Sequence, residues 1–312
     1  MKVAGIDISK AHLDVALDRE EARLRVPNDA GGHARLVKWL AEHKVTRVGM
    51  EASGGYERAP ADALRKAGFE VALLQPRQVR AFAVYRLRRA KNDSIDASLI
   101  ARCTAELETV RPPRDSRLAA MDEHLRLIEQ IESDCSRMKT RKEAYRTPRL
   151  ERWIAQEVAR LERRLKAELT LLVKTIFQHE DLARRLELIE TVEGVGRRTA
   201  LTLIILMPEL GQLSREEIAS LAGLAPFDDD TGNQRGQRHI EGGRFRVRRS
   251  IYAAALAASF RWNPRLVDFY KRLRAKGRGH KQALVACARK LLIFVNTVLT
   301  RGSAWQKLAS VS

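Results

Sequence analysis

The order of strand-like and helical segments in the first 110 residues narrows the choice of fold more than any other feature of the sequence. Three strand-like runs, either rich in β-branched residues or alternating apolar with polar residues, precede the first helical pattern. Strands and helices then alternate. The predicted segments are strands at 2–9, 13–17 and 24–26, a helix from Asn28 or Asp29, a strand at 47–51, a helix ending near Gly68, a strand at 70–74 and a helix from about 93.

This order, βββαβαβα, is that of the ribonuclease H-like fold, in which the first strand is central and the fourth is its neighbour. In this sequence both strands end on an acid, Asp7 on the first and Glu51 on the fourth. A carboxylate at the end of a buried strand is costly unless it is paired or coordinated. The fold class therefore places two carboxylates that need a partner on adjacent strands.

Two further acids, Asp93 and Asp96, are three residues apart at the start of an apolar-periodic helix, which puts both on one face. Taken alone, an N-cap and a first-turn acid that the helix dipole favours are the commoner meaning of this pair. With Asp7 and Glu51, however, the sequence has acids at three separate places. Helix capping is a poor explanation for all of them. A divalent cation held by oxygen ligands is the usual occupant between facing carboxylates, so the sequence predicts a metal site.

From about Ser116 to Phe177 the pattern is purely helical, with apolar residues at three- and four-residue steps and one break at Thr147-Pro148. This pattern predicts a long antiparallel helical hairpin of the coiled-coil type. Its simplest role is that of a spacer, and the functional alternatives are dimerisation or strand separation. The remaining sequence is helical with one irregular segment. The predicted domains are an α/β domain at 1–112, the hairpin at 113–180 and an α-helical domain at 181–312.

Charge and cysteine content bound the function. The formal net charge of +19 exceeds what solubility requires, so a polyanion is the expected partner. Nucleic acid fits better than membrane, because no run approaches the length expected of a spanning helix. Asp7 comes too early for a signal peptide, so the expected location is the cytoplasm. The three cysteines are isolated, which predicts reduced thiols rather than disulfides or a zinc site.

Three segments are candidates for nucleic-acid contacts. A basic cluster lies at the hairpin tip, an apolar-Gly-x-Gly turn could bring backbone N–H groups close to a phosphate, and an arginine-rich segment follows the irregular region. A solvated charged face and a tight helix–helix turn are the simpler alternatives. The residues are Arg137, Lys139, Arg141 and Lys142 at the tip, Gly194, Gly196 and Arg197 in the turn, Arg235 and Arg238 at the end of the irregular region, and Arg244, Arg246, Arg248 and Arg249 in the arginine-rich segment.

A further basic block surrounds two glycines near the C-terminus. It contains Lys271, Arg272, Arg274, Lys276, Arg278, His280 and Lys281.

With these features in place, the sequence resembles the insertion-sequence transposases of the IS one-ten type, which are kin to the Piv-like DNA invertases. The resemblance covers nearly the whole chain, and its motifs are jointly specific. They are Gly-Ile-Asp-Ile-Ser-Lys at 5–10, Met-Glu-Ala-Ser-Gly at 50–54, Lys-Asn-Asp-Ser-Ile-Asp-Ala at 91–97, Glu-Gly-Val-Gly at 193–196, Leu-Ala-Gly-Leu-Ala-Pro at 221–226, the arginine-rich 242–249 and Ala-Arg-Lys-Leu-Leu at 288–292.

The resemblance implies an N-terminal RuvC-like domain whose Asp-Glu-Asp-Asp tetrad, here Asp7, Glu51, Asp93 and Asp96, binds Mg²⁺ or alternatively Mn²⁺. It also implies a hydroxyl nucleophile in the C-terminal domain, where Thr231 stands in place of the family's serine. The implied activity is DNA recombination by transesterification. The implied partners are double-stranded DNA, a structured guide (bridge) RNA, and further copies of the chain in a homodimer or homotetramer.

On composition alone, the acidic turn at 228–232 is more commonly a solvent-exposed turn closed by glycine. Two other classes of function also stay open. Gly-Ile-Asp-Ile-Ser-Lys at 5–10 resembles the first phosphate loop of sugar kinases and actin-like ATPases, but no second phosphate loop or adenosine loop is evident, and the basic charge is left unexplained. A nucleic-acid-binding relative that lost its chemistry through Thr231 is the second alternative.

Overall fold

The computed structural model describes residues 1–52, 54–86, 93–110, 115–227 and 239–306, and for 93–96 and Phe227 it describes the backbone only. The chain forms two compact units, Met1–Pro113 and Arg114–Ser312.

The first unit is a five-stranded sheet with helices. Its sheet order is β3-β2-β1-β4-β5, with antiparallel pairing from β3 to β1 and parallel pairing from β1 to β5. The predicted order, with the first strand central and the fourth beside it, is therefore confirmed. The elements are β1 (Val3–Ile8), β2 (His12–Leu17), β3 (Arg23–Pro27), α1 (Ala30–Glu42), β4 (Arg47–Glu51), α2 (Arg58–Lys66), β5 (Glu70–Leu74), α3 (Pro76–Tyr85) and α4 (Asp93–Ala105).

One helix of this unit, α3, is absent from the predicted elements, in which Pro76 only ends β5. A proline also suits the first position of a helix, where its missing N–H is not needed. Gln75 precedes it as the N-cap, and its backbone N–H donates to Oε1 of Gln78 at 2.9 Å. The same proline therefore ends the strand and starts the helix.

Alternation along β1 separates the two faces of the sheet. Ala4, Ile6 and Ile8 are buried and belong to an apolar core that also contains Leu36 and Leu40 of α1. Helix α1 begins at the predicted place, since the side chain of its N-cap residue, Asp29, accepts a hydrogen bond from the N–H of Gly32 at 2.8 Å. The intervening positions of β1 face the other side of the sheet.

Within its described residues, the second unit is helical apart from one small sheet, in which β6 and β7 pair antiparallel with Phe227 opposite His239. Its elements are α5 (Ser116–Lys142), α6 (Pro148–Phe177), α7 (Glu180–Glu190), α8 (Arg197–Leu206), α9 (Arg215–Leu221), β6 (Pro226–Phe227), β7 (His239–Ile240), α10 (Phe245–Ala257), a π-helical turn (Ala258–Trp262), α11 (Pro264–Ala275) and α12 (His280–Arg301).

Helices α5 and α6 form the predicted antiparallel hairpin, with the break at Thr147 and Pro148. Two pairs connect them: His124 Nε2 lies 2.9 Å from Glu168 Oε2, and Lys139 Nζ lies 2.7 Å from Glu162 Oε1. At its base the hairpin shares one apolar core with α7, α8, α10 and α12. Coiled-coil packing and a domain boundary near residue 180 stay predictions.

Among the described residues, one helix, α12, is long and apolar enough to cross a membrane by length and composition. The expectation that no run approaches that length was therefore wrong. Leu291, Leu292 and Val295 of α12 are buried in the core of the second unit, and half of the helix's most apolar stretch is buried. Since the core helix of a globular protein passes the same test, the finding is weak support for a membrane span.

Cys103, Cys135 and Cys287 are each free and buried. Burial raises the pKa of the Cys103 and Cys287 thiols, so both favour the unreactive protonated form.

Candidate metal centre and nucleic-acid interface

Two of the predicted metal ligands leave the sheet at the same edge. The parallel register of β1 and β4 places Ile6 opposite Met50, so the next residues, Asp7 and Glu51, come from the carboxyl ends of neighbouring strands. Both acids are partly buried. Oδ1 of Asp7 accepts a hydrogen bond at 3.0 Å from the N–H of Ile8, which helps to fix its orientation.

Glycines show which face these acids share. A Cβ on Gly5 would lie 2.2 Å from backbone atoms of Ala97 and Ala101, and a Cβ on Gly49 would lie 1.7 Å from Oγ1 of Thr104. Helix α4 therefore packs directly on the backbone of β1 and β4. Because side chains two residues apart in a strand lie on one face, the acids two positions after these glycines lie on the α4 side of the sheet.

The direction of α4 brings its first residues to the same edge. The last part of α4 lies near the beginning of the strands, since Nη1 of Arg47 donates to the carbonyl of Leu107 at 2.7 Å and Arg102 lies 3.8 Å from Asp18. The helix therefore runs antiparallel to β1 and β4, and its N-terminus lies toward their carboxyl ends. Asp93 and Asp96 belong to this N-terminal turn, and their side chains lie outside the described residues.

A fifth acid at this edge of the sheet, Asp14, was not predicted from the sequence as a site residue. In the antiparallel register of β1 and β2 it is directly opposite Asp7, and directly opposite residues share a face of the sheet. Its Oδ1 lies 3.5 Å from Nε of Arg25 on β3. The alternation of β2 was the available signal, because it places Asp14 on the face opposite the buried Leu13 and Val15.

Asn28, which was also missed as a site residue, holds together the loops that follow β1 and β4. Its Nδ2 donates to the carbonyls of Ser9 at 3.0 Å and Tyr56 at 3.3 Å, and its Oδ1 lies 2.8 Å from Nε2 of His33. Burial lowers the pKa of His33, and the charge of nearby Asp29 offsets this only in part. A neutral His33 with its proton on Nε2 fits this contact and would orient the asparagine.

The donor set at this edge fits a hard divalent cation, because it consists of carboxylate oxygens. Within the described residues, no three His, Cys, Asp or Glu side chains form a group that could hold a metal ion. Asp7 and Glu51 would therefore need the acids at the start of α4 to complete a ligand set.

We expect Gly5→Ala to lower both stability and activity. The new methyl group overlaps backbone atoms of α4, so the helix must shift, and overpacking of this kind costs about 3 kcal/mol. Thermal unfolding and a DNA cleavage assay would measure the two effects. Gly31→Ala is a matched control, because a Cβ there meets only an Asp29 oxygen at 3.5 Å. A Gly5→Ala protein with wild-type melting would contradict the close packing.

The predicted glycine turn lies between α7 and α8, as expected. Gly194 has φ +95°, and a Cβ on it would lie 2.3 Å from Cβ of Ala258, so packing within the unit already requires glycine there. Nδ2 of Asn263 donates to the carbonyl of Glu193 at 3.0 Å. A Cβ on Gly196, the N-cap of α8, would meet no atom within 4 Å. The simpler alternative, a tight helix–helix turn, thus explains Gly194, while the space beside Gly196 is open.

The arginines of α10 and its N-cap have partners inside the second unit. Arg244 makes a bidentate pair with Glu209, and Arg246 pairs with Glu129 at 2.7 Å and with the buried Asp122. These ion pairs link segments far apart in sequence, so both guanidinium groups have a structural role whatever else they bind.

Arg248 and Arg249 differ from each other. Nη1 of Arg248 donates to the carbonyls of Gly242 at 2.6 Å and Gly223 at 3.3 Å, which braces the chain beside β6 and β7. Arg249 is 58% exposed and lies 3.9 Å from Glu129, so it is the most accessible of the four to a phosphate.

The remaining candidates lie on exposed surface or outside the described residues. At the hairpin tip, Arg137 pairs with Asp134 and Lys139 with Glu162, whereas Arg197 beside the glycine turn pairs with Glu190 at 2.7 Å. The side chains of Arg141 and Lys142 are exposed. Thr231, Arg235 and Arg238 lie outside the described residues.

Comparison with known proteins adds independent support. A transposase family model for DEDD proteins of the IS110 type matches residues 4–145, and a model for transposases of the IS116/IS110/IS902 family matches residues 186–271. Between them these matches cover more than half of the chain.

Individual relatives agree with the family matches. The chain is 25% identical over 97% of both chains to the pilin gene-inverting protein of Moraxella lacunata. It is 30% identical to an uncharacterized 43.6 kDa protein of insertion element IS110 from Streptomyces coelicolor, over 37% of this chain and 29% of that one.

Among solved structures, a match with T. thermophilus RuvC in complex with a Holliday junction substrate covers 36% of this chain and 99% of that one, at 20% identity and a TM-score of 0.30. The fold assignment rests instead on the sheet order, and the family assignment on the sequence matches. The chain belongs to the IS116/IS110/IS902 family of transposases.

Proposed function

We propose that the protein is a site-specific DNA recombinase that cuts and rejoins DNA by metal-assisted transesterification. The observation that carries the proposal is the convergence of β1, β4 and the start of α4 at one edge of the sheet. Acids grouped at one edge could hold the divalent cation that assists the cutting of a phosphodiester. The sequence similarity to a pilin gene-inverting protein, whose name describes rearrangement of DNA, supports the same activity.

Asp7, Glu51, Asp93 and Asp96 would hold Mg²⁺, or Mn²⁺ in its place. When bound, the cation would polarise the scissile phosphate and lower the pKa of an attacking hydroxyl. Asp7 and Glu51 come from strands whose spacing is fixed by backbone hydrogen bonds, so this half of the ligand set is preorganised before metal or DNA binds.

Thr231 is the proposed nucleophile. It lies in the segment 228–238, whose flanking residues Phe227 and His239 are paired between β6 and β7. In the step we propose, the Thr231 oxygen forms a bond to phosphorus, the hydroxyl proton goes to a base or to solvent, and the 3′ or 5′ oxygen of the cut strand leaves. Rejoining reverses the step with a new DNA hydroxyl as the attacking group.

The proposed nucleic-acid partners are double-stranded DNA and a structured guide RNA, bound by a homodimer or homotetramer in the cytoplasm. The net charge of +19 supports a polyanion. The candidate contacts are those of the hairpin tip, the glycine turn, the irregular region and the arginine-rich segment: Arg137, Lys139, Arg141, Lys142, Gly194, Gly196, Arg197, Arg235, Arg238, Arg244, Arg246, Arg248 and Arg249.

The function is tested by incubating the full chain with DNA carrying the ends of its element, Mg²⁺ and the transcript encoded beside the gene. Joined DNA products that require all three additions would support the proposal. Cleavage that needs no divalent cation would contradict the metal site, and joining that is unchanged without the transcript would contradict RNA guidance alone.

We also expect binding to random duplex DNA to weaken about a thousandfold between 50 and 200 mM salt, since contacts with many phosphates release many counterions. A structured RNA made from the element should retain more affinity over the same range, because shape contacts supplement charge. Fluorescence anisotropy across a salt series measures both affinities. Equal affinity of the two ligands at physiological salt would count against the guide.

A further inference from the structure

An exposed group of aromatic rings lies where the π-helical turn, α11 and the start of α12 meet. Phe260 is 54% exposed, and its ring centroid lies 5.0 Å from that of Tyr270 and 6.3 Å from that of His280. We call Phe260, Tyr270 and His280 the aromatic surface. Single exposed apolar side chains are common on protein surfaces, whereas a group of neighbouring rings is a feature of binding sites.

The rings are held in place from behind. The hydroxyl of Tyr270 lies 2.7 Å from Nδ1 of His280, and the two rings meet edge to face, so both support Phe260 from one side. Just after the π-helical turn, the buried Asn263 accepts from the N–H of Leu266 at 3.2 Å and donates to the carbonyl of Glu193. A ring fixed before binding loses little conformational entropy when a flat ligand stacks on it.

The positive charge of the sequence around the rings favours an anionic ligand. Residues 258–290 contain ten Lys and Arg residues and a single acid, Asp268. Of these cations, Lys271, Arg272 and Lys281 are exposed and are neighbours in sequence of Tyr270 and His280. Aromatic faces beside many cations match a ligand that carries flat bases on a phosphate chain. An apolar protein surface would gain nothing from this excess of positive charge.

We propose that the aromatic surface binds an unpaired strand of DNA by stacking its bases on Phe260, while the surrounding cations contact the phosphates. In a duplex the faces of the bases are covered by their neighbours, so only unpaired bases can stack on protein rings. Cutting and rejoining two duplexes exposes such bases. The proposal goes beyond the metal site and Thr231, and depends only on DNA as the family's substrate.

Binding of the full-length protein to a labelled 12-mer of thymidine would test this, with the same backbone carrying abasic sites as the comparison. We expect Phe260→Ala to weaken binding of the thymidine oligomer about 5- to 150-fold, and to leave the abasic oligomer nearly unchanged. Phe260→Tyr, which keeps the ring, should retain the wild-type affinity.

Two control variants separate stacking from other effects. Phe177→Ala removes a ring of similar exposure, 48%, on α6, and should leave both oligomers bound as in the wild type. Lys271→Gln should weaken the thymidine and abasic oligomers by the same factor, because it removes only a phosphate contact. Circular dichroism melting confirms that each variant is folded.

Four results would overturn the proposal. They are unchanged binding by Phe260→Ala, equal loss of both oligomers in that variant, a Phe260-dependent affinity for a uridine RNA oligomer but not for the DNA oligomer, and a change in oligomeric state in Phe260→Ala that accounts for the loss. The last would show that the rings cover another protein chain. None of these results depends on cleavage activity, so failure here is distinct from failure of the proposed metal site.

Discussion

Asp7→Asn should abolish metal-dependent DNA cleavage, with a loss of at least about 10³-fold in rate. Changes in groups that merely orient metal ligands already cost about 10- to 100-fold, and Asp7 would be a direct ligand. The amide has nearly the same shape as the carboxylate, so β1 should keep its register and the protein its stability. Binding of DNA should persist or become tighter, because a negative charge beside the phosphates has been removed.

Cleavage rates and DNA affinity of the same preparations measure these two effects. Glu51→Gln, Asp93→Asn and Asp96→Asn should behave like Asp7→Asn. Asp62→Asn provides the matched control, since this exposed acid on α2 pairs only weakly with Arg65 at 3.4 Å. Cleavage retained by Asp7→Asn would contradict the assignment of Asp7 as a metal ligand. Loss of DNA affinity in that variant would instead indicate misfolding.

Thr231→Ala should remove strand exchange completely, because no hydroxyl remains to form the bond to phosphorus. Thr231→Ser should retain or raise the rate, since serine lacks the β-methyl group that restricts χ1 of threonine and crowds the attacking oxygen. A DNA substrate with a nick beside the cut site releases the leaving strand and should trap the covalent intermediate. Mass spectrometry of the trapped peptide then identifies the residue joined to DNA.

Two outcomes are decisive against this assignment. Wild-type exchange by Thr231→Ala would refute it, and an adduct on Ser220 or Ser250 would move the role to that residue. Ser250 lies on α10, with its Oγ 3.5 Å from Oγ1 of Thr199, so it already has a neighbour within the second unit. If DNA binds normally but no adduct forms in any variant, the chain is a binding relative without this chemistry.

The strand order of the first unit could be predicted because each strand carries its own local pattern. Alternation in β2 and buried runs in β1 and β4 are visible in the sequence, and the acids at the ends of β1 and β4 follow from the order. The antiparallel direction of α4 could not be predicted. It depends on contacts such as that of Arg47 with Leu107, which lies 60 residues away in the chain.

The hydrogen-bond and ion-pair partners of individual side chains could not be predicted either, because they too are far apart in the sequence. Arg246 looks like a phosphate contact in a basic segment, yet it pairs with Asp122 across 124 positions of the chain. Asn28 looks like a helix-start residue, yet it connects two loops through Ser9 and Tyr56. Composition shows that charges exist, and only the tertiary structure shows which of them neutralise one another.

The two glycines under α4 have a consequence for engineering. Because the helix touches the backbone of β1 at Gly5 and of β4 at Gly49, its position tolerates no side chain at either place. A chimera that takes α4 from a relative must therefore import both strands with it, or match their glycines.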